Sequence, residues 1–473
     1  MAANFLHGAE TLEVEYGPRA IRAVKSAVIG LIGTAPTGPI NELTLCPSEN
    51  AGAQFGPRLS GFSIPKALKA IYDHGAGTVL VINVLNPEIH QTEATGINVT
   101  FGINNRAMLP HAAIISAKVK TAETTYVQDT DYTLNLVTGE LVRLTTSAIP
   151  AKATVTVEYI YADPSKVTPA DIIGAIDAAG YRSGINALED AYNLYGFFAK
   201  LLIAPGFSTL NSVSTELISA ANKYGAMALI DAPVGTTPSQ AINGRGPMGT
   251  INFATSSERA ILCYPHLKVY DSATDSIQLE PMSQRLAGLM AAKDLERGYW
   301  WSPSNTEFKG IVGSERSLSA RIDDPNSEVN LLNENGIVTV FNSFGTGLRS
   351  WGNRSAAWPS VTHMKNFISV RRVKDIVDES IRYSSLQFVD MPITQAVIDA
   401  IVESVNQFLR KLIGDGALLG GECWYDPERN PQTELELGHA LFQYKLTPPP
   451  PMERITYESE ITGEYLATLK GGN

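Results

Sequence analysis

The sequence predicts a multidomain α/β and α+β protein with a doubly wound, mostly parallel sheet core, an inserted all-β domain and extended N- and C-terminal β-arms. Three observations carry this reading. Short apolar runs alternate with helical stretches before residue 92 and again after residue 200, the pattern of βαβ units whose strands are buried on both faces. From about Glu93 to Ala162, strand patterns follow one another with no helical stretch between them. Both chain ends carry apolar positions with little neighbouring chain to cover them.

Taken in order, Leu12-Glu-Val-Glu-Tyr16 alternates apolar and acidic residues at period 2, a half-buried strand, and Gly17-Pro18 punctuates it. Ala27–Gly33 is a short apolar strand, Pro65–His74 a helix with Pro early and Gly75 beyond its end, and Thr78–Val84 the next strand. The β-rich block reads as strands at 97–101, 113–117, 132–136, 141–144 and 154–160, with Thr138-Gly139 as a hairpin turn. The α/β pattern resumes with a strand at 201–205, a helix at 213–224, strands at 226–233 and 259–264, and a helix at 282–297 stopped by Gly298. Two helices follow, 370–386 and 394–413; the second aligns Val397, Ile401, Val402, Val405, Phe408, Leu409 and Leu412 on one stripe behind a Thr394 N-cap. Strands are expected at 418–424, 437–447 and 455–461, the last two separated by the stiff Pro448–Pro451 spacer. Glu464–Lys470 is an amphipathic tail. The divisions that result are 1–22 (arm), 23–92 (first part of an α/β domain), 93–165 (inserted β-rich domain), 166–360 (α/β), 361–461 (C-terminal α/β) and 462–473 (arm).

Composition narrows the function classes. The 473 residues exceed the usual single-domain size. A charged fraction of 18% beside 44% apolar residues fits a surface largely covered by partners. A net charge of -11 with no Lys/Arg run argues against nucleic acid or anionic membrane as partner. Cys46, Cys263 and Cys423 lie far apart in no metal or disulfide spacing, which fits a reducing compartment. No secretory pattern is expected at the start, and no apolar run approaches the roughly 18 residues of a membrane span.

No catalytic constellation emerges. Gly244-Arg-Gly-Pro-Met-Gly249 matches a dinucleotide fingerprint by letters, but it follows no strand and contains Pro247, so it reads as a Gly/Pro loop. Gly206-Phe-Ser-Thr-Leu210 lacks the final Gly of a nucleophile elbow, leaving Ser208 as a loop residue or N-cap. Asp231 ends a buried strand and is expected to bond the amides of a following loop. The seven histidines show no paired spacing. Catalytic residues, cofactors and metals are expected to be none.

Four stretches stand out by pattern: Phe5-Leu-His-Gly8, Trp301-Ser-Pro-Ser-Asn-Thr-Glu-Phe-Lys-Gly310, Leu331-Leu-Asn-Glu-Asn-Gly-Ile337 and Leu348-Arg-Ser-Trp-Gly-Asn-Arg354. They resemble, in turn, the F-x-H-G start, W-S-P-S-N-x-x-x-x-G loop, L-L-N-x-x-x-I segment and L-x-x-W-G-N-R turn of the contractile bacteriophage tail sheath family, which includes sheaths of R-type bacteriocins. The resemblance covers roughly 5–85 and 195–470. By turn chemistry alone, Trp301 and Trp351 would be core anchors and Gly352-Asn353 a turn, with no catalysis in either reading.

The resemblance implies a structural subunit that forms rings of six stacked helically on an inner tube and contracts to drive that tube through the host envelope. Implied partners are further copies of the chain, the tail tube protein, and baseplate and tail terminator proteins, with no nucleic acid and no membrane insertion. The implied place is the virion tail, assembled in the host cytoplasm. Arms that add strands to neighbouring subunits would use Leu12, Val14 and Tyr16 at one end and Ile461, Tyr465, Leu466 and Leu469 at the other, hinged near Gly17-Pro18 and Thr462-Gly463. Arg371, Arg372 and Lys374 are candidates to meet an acidic tube wall. The alternatives are a cytosolic α/β enzyme with a β-rich accessory domain, a surface-layer protein, and arms that pair within their own chain.

Overall fold

The computed structural model describes residues 20–469, apart from 76, 247, 273, 344 and 346. Strand β1 (Val28–Gly33), β2 (Thr44–Cys46) and β3 (Thr78–Asn83) come first, with the helix Ile64–Tyr72 between the last two. Six strands follow: β4 (Gln91–Thr100), β5 (Arg106–Met108), β6 (Ile114–Lys120), β7 (Tyr132–Asn135), β8 (Glu140–Arg143) and β9 (Thr154–Ala162). They form two three-stranded antiparallel sheets, β4-β9-β6 and β5-β8-β7, around one core that includes Phe101, Val119, Tyr132, Leu141, Val157 and Tyr159. Gly139 turns between β7 and β8 at φ +77°, a conformation that asks for glycine.

Beyond them lie β10 (Leu201–Ile203), β11 (Met227–Asp231), β12 (Ala260–Cys263), β13 (Leu267–Asp271), β14 (Ser276–Glu280), β15 (Thr306–Glu307), β16 (Gly313–Ser314), β17 (Ile337–Ser343) and β18 (Gly347–Trp351). One nine-stranded sheet runs β15-β18-β17-β12-β11-β10-β1-β3-β2. Its interior from β3 to β17 is parallel, and β2, β18 and β15 pair antiparallel at the margins. Ile29, Leu31, Val79, Val81, Leu201 and Ile203 pack toward the helices Ile64–Tyr72 and Met282–Arg297. Val28, Ile32, Leu80, Ile82 and Leu202 pack toward the helix Asn211–Tyr224. Covering both faces is why these strands read as unbroken apolar runs. The small sheet β14-β13-β16 had no clear signal, because Ser276–Glu280 is only half-buried.

The C-terminal region packs the helices Ile368–Ser384 and Gln395–Gly414 against a hairpin of β19 (Gly420–Tyr425) and β20 (Phe442–Thr447). Thr394 Oγ1 accepts the Val397 amide at 3.3 Å, the expected cap. Of the apolar stripe, Val405, Phe408, Leu409 and Leu412 are buried, whereas Val397, Ile401 and Val402 stay half-exposed.

Two expected strands differ. Residues 437–441 precede β20 rather than belonging to it: the Asn430 side chain takes both the amide (2.6 Å) and carbonyl (2.9 Å) of Leu441, closing a loop there. Residues 455–461 form no ladder among the described residues. The N-terminal segment with Leu12, Val14 and Tyr16, the hinge at Gly17-Pro18 and the Phe5–Gly8 motif lie outside the described residues.

Candidate assembly surface

The three motif stretches of the second half fold into one cluster. The Asn305 amide donates to Ser350 O (2.7 Å), Ser350 Oγ to Pro303 O (2.5 Å), and the Gly352 amide to Ser304 Oγ (3.0 Å), stitching the 301–310 loop to the 348–354 turn. Asn333 Nδ2 donates to Ile337 O (3.0 Å) and Trp351 O (3.1 Å), adding the 331–337 segment. Gly352 sits at φ +131°, and a Cβ there would meet Val338 Cα at 3.0 Å, so side chains are excluded by both conformation and space. Trp351 stacks on Phe341 at 4.5 Å. Trp301 is not a core anchor: it is 48% exposed beside Arg297, because the loop is held by backbone and hydroxyl bonds instead.

Arg354, the last motif residue, faces outward from this cluster. Its guanidinium lies between the Trp358 (3.9 Å) and Phe367 (4.2 Å) rings, bonds Asn366 Oδ1 at 2.8 Å, and grips the Glu453 carboxylate with Nε (2.8 Å) and Nη2. Glu453 follows the Pro448–Pro451 spacer, so this pair fixes the root of the C-terminal segment. From there to residue 462 the chain runs without helix or ladder. Ile455, Tyr457 and Ile461 are 60, 86 and 104% exposed, and Tyr465, Leu466 and Leu469 are exposed on a short 3-10 turn. The sequence singles out Ile461, Tyr465, Leu466 and Leu469 as arm candidates but gives no sign of Arg354, whose partner Glu453 lies 99 residues away.

The three tube-contact candidates sit on the helix Ile368–Ser384. Arg372 is a core residue: it is buried and forks onto Asp294, with one bond at 2.8 Å. Arg371 bonds Glu258 (2.9 Å) and Asp375, and Arg259 holds Asp375 from the far side at 2.6 and 2.9 Å. Lys374, with 40% of its side chain exposed, pairs with Asp378 one turn on. Lys200 and Glu379 form a further buried pair. A helix periodic in apolar residues gives no hint that its cations face the α/β body.

The stretches that resembled enzyme motifs have structural roles. Arg245 spends its guanidinium on backbone carbonyls of Asn335 (2.9 Å), Phe253 (2.8 Å), Thr255, Ala356 and Trp358 (3.0 Å), and burial pulls it down to about 10. Asp231 is fully buried and accepts Ser208 Oγ (3.1 Å), the Ser283 amide (2.8 Å) and Ser283 Oγ (2.5 Å) at the first turn of the helix Met282–Arg297. Burial pushes its carboxyl above the ordinary range, against the opposing pull of His266 and the serines. Ser208 is therefore neither nucleophile nor N-cap but a donor to that carboxylate. Among the described residues no group of three or more His, Cys, Asp or Glu could hold a metal, and no helix is long and apolar enough to cross a membrane.

Comparison with known proteins places this mixed α/β body of several sheets among the structural proteins of phage tails. The model of the phage tail sheath protein central domain matches residues 165–356, and that of the phage tail sheath C-terminal domain matches 360–462. The tail sheath protein of Burkholderia phage BcepMu is 60% identical over the whole of both chains. The tail sheath protein of Escherichia phage P2 is 29% identical over 64% of this chain and 73% of its own. The cryo-EM structure of the sheath complex of the PVC extracellular contractile injection system, in its contracted state, shares the fold with a TM-score of 0.60 at 14% identity, covering 98% of this chain and 99% of that one. The chain belongs to the phage tail sheath family. It is a structural sheath subunit and not an enzyme, and the cytosolic-enzyme alternative falls with that.

Proposed function

We propose that the chain polymerises as stacked hexameric rings around a tail tube and contracts to drive that tube through the host envelope, with arms at both termini adding strands to neighbouring copies. The doubly wound core would move as a rigid body, while the arms hinge near Gly17-Pro18 and Thr462-Gly463 and keep the lattice bonded. Contraction would pass from a metastable packing to a tighter one, a small free-energy drop per subunit multiplied along the polymer, with no nucleotide consumed. The division into arms, inserted β-rich domain, α/β domain and a C-terminal domain facing the tube belongs to the same proposal. So do contacts with tube, baseplate and tail terminator proteins, a place in the virion tail and assembly in the host cytoplasm.

The observation that supports this reading is the C-terminal segment beyond Glu453. Ile455, Tyr457 and Ile461 expose apolar side chains on a stretch that forms no ladder among the described residues. Burying three such side chains in a neighbour offers about 1.5–3 kcal/mol each, besides the ladder bonds. Of the tube-contact cations, Lys374 has the exposure for the role.

Negative-stain microscopy tests the arms. Full-length protein should form hollow tubes or stacked rings, and chains lacking 1–18 or 463–473 should stay folded, soluble and unassembled. Regular tubes from either truncation would remove that terminus from the proposal.

A further inference from the structure

We infer that three buried ion pairs lock the helix Ile368–Ser384, and with it the C-terminal region, in one register on the α/β body, deciding where that region sits rather than holding it on. Ile368, Arg372, Asp375, Glu379 and Tyr383 recur every three or four residues and so lie on one side of the helix. The two ends of this stripe are hydrophobic: Ile368 joins the core on one face of the nine-stranded sheet, and Tyr383 stacks on Tyr192 at 4.3 Å. Its middle is charged. Val373, Ile376 and Val377, elsewhere on the helix, pack with Val405, Phe408 and Leu409 of the next helix, and Tyr299 and Trp300 of the body add an apolar contact to that cluster. The helix thus meets its own region through apolar side chains and turns three charges to the body.

Each charge meets its opposite on a different element. Arg372 forks onto Asp294 of the helix Met282–Arg297, with one bond at 2.8 Å. Asp375 takes Arg259, just before β12, at 2.6 and 2.9 Å. Glu379 pairs with Lys200, just before β10. All six side chains are 2–11% exposed. The body fixes its two cations from behind: Lys200 Nζ donates to Tyr224 O (3.1 Å) and Arg259 Nη1 to Ala226 O (3.3 Å). Along the helix, plus, minus and minus therefore face minus, plus and plus. A slip of one turn, about 5.4 Å, in one direction sets Asp375 against Asp294 and leaves Lys200 facing Tyr383. In the other it sets Arg372 against Arg259 and leaves Asp294 facing Ile368. Either slip buries a like-charge contact and an unpaired charge, whereas an all-apolar stripe would tolerate both. Compared with apolar side chains of similar size, buried pairs add little net adhesion; what they add here is discrimination between registers.

Spin-label distance measurements on dissociated full-length subunits test the lock without reference to any polymer. The labels go on Ser212→Cys in the helix Asn211–Tyr224 and Gln407→Cys in the helix Gln395–Gly414, both exposed, while Cys46, Cys263 and Cys423 are buried. The native stripe should give one narrow distance. In a chain carrying Lys200→Met, Arg259→Met, Asp294→Leu, Arg372→Met, Asp375→Leu and Glu379→Leu, the urea midpoint should not fall, yet the distance distribution should broaden or split. A single narrow distance in that chain, whatever its midpoint, overturns the lock. Should the six changes prevent folding, charge reversal decides. Glu379→Lys alone sets two cations together and should broaden the distribution, and adding Lys200→Glu should narrow it again. A narrow distance in Glu379→Lys, or no recovery in the double variant, overturns the inference.

Discussion

Arg354 and Glu453, 99 residues apart in sequence, form a two-pronged ion pair that ties the end of the most recognisable turn in the chain to the first charged residue of the C-terminal segment. The two side chains are unequal in exposure, 15% for Arg354 and 42% for Glu453. Glu453→Gln should therefore cost the isolated subunit less than about 1 kcal/mol, as for other partly solvated pairs. Arg354→Ala should cost about 2–3 kcal/mol, since it also removes the Asn366 bond and the contacts with Trp358 and Phe367. Urea unfolding of the dissociated subunits measures both; equal losses would mean that the aromatic sandwich contributes nothing.

Arg372 and Lys374 are near neighbours on one helix with opposite surroundings. Arg372→Ala leaves Asp294 buried and unpaired, and about 3–5 kcal/mol of stability should be lost. Lys374→Ala should change stability by no more than about 0.5 kcal/mol. A small effect at Arg372 would contradict its placement in the core.

Arg245 holds five carbonyls from three separate loops. Its replacement by Ala strands those acceptors, at a cost of about 3–5 kcal/mol, and Lys, with a point charge in place of a fork, should recover only part. Thermal unfolding of both variants decides this; full recovery by Lys would mean that charge, not fork geometry, matters.

His74 should make the subunit acid-sensitive in a defined window. Its Nδ1 donates to Ala70 O (3.0 Å) and its Nε2 accepts the Lys309 amide (3.3 Å), an arrangement only the neutral ring can make. Burial, joined by Arg285 and Lys309 and opposed by the Ala70 hydrogen bond and Asp73, lowers its pKa from 6.5 to about 4. Between those values the unfolded chain binds the proton that the native chain refuses, so stability present above pH 6.5 is lost as pH falls toward 4, on the order of 3 kcal/mol in all. His74→Gln should flatten the unfolding free energy across that interval. An unchanged slope would assign the sensitivity to other groups.

The sequence by itself determined the strands at 28–33, 78–83 and 227–231, the helices at 282–297 and 395–414, and the family, because burial on one or both faces writes itself into the periodicity and because the motif turns need particular residues. The tertiary structure alone decided where polar groups spend their bonds. Asp294 takes Arg372 out of the solvent, Asn430 shortens β20, Asn406 closes β19 at Cys423, and Glu453 meets Arg354. Periodicity reports which side of an element is covered, not which distant atom completes a hydrogen bond. Residues 455–461, expected as a strand, form no ladder among the described residues, because a strand is a relation between two segments and the pattern of one does not supply the other.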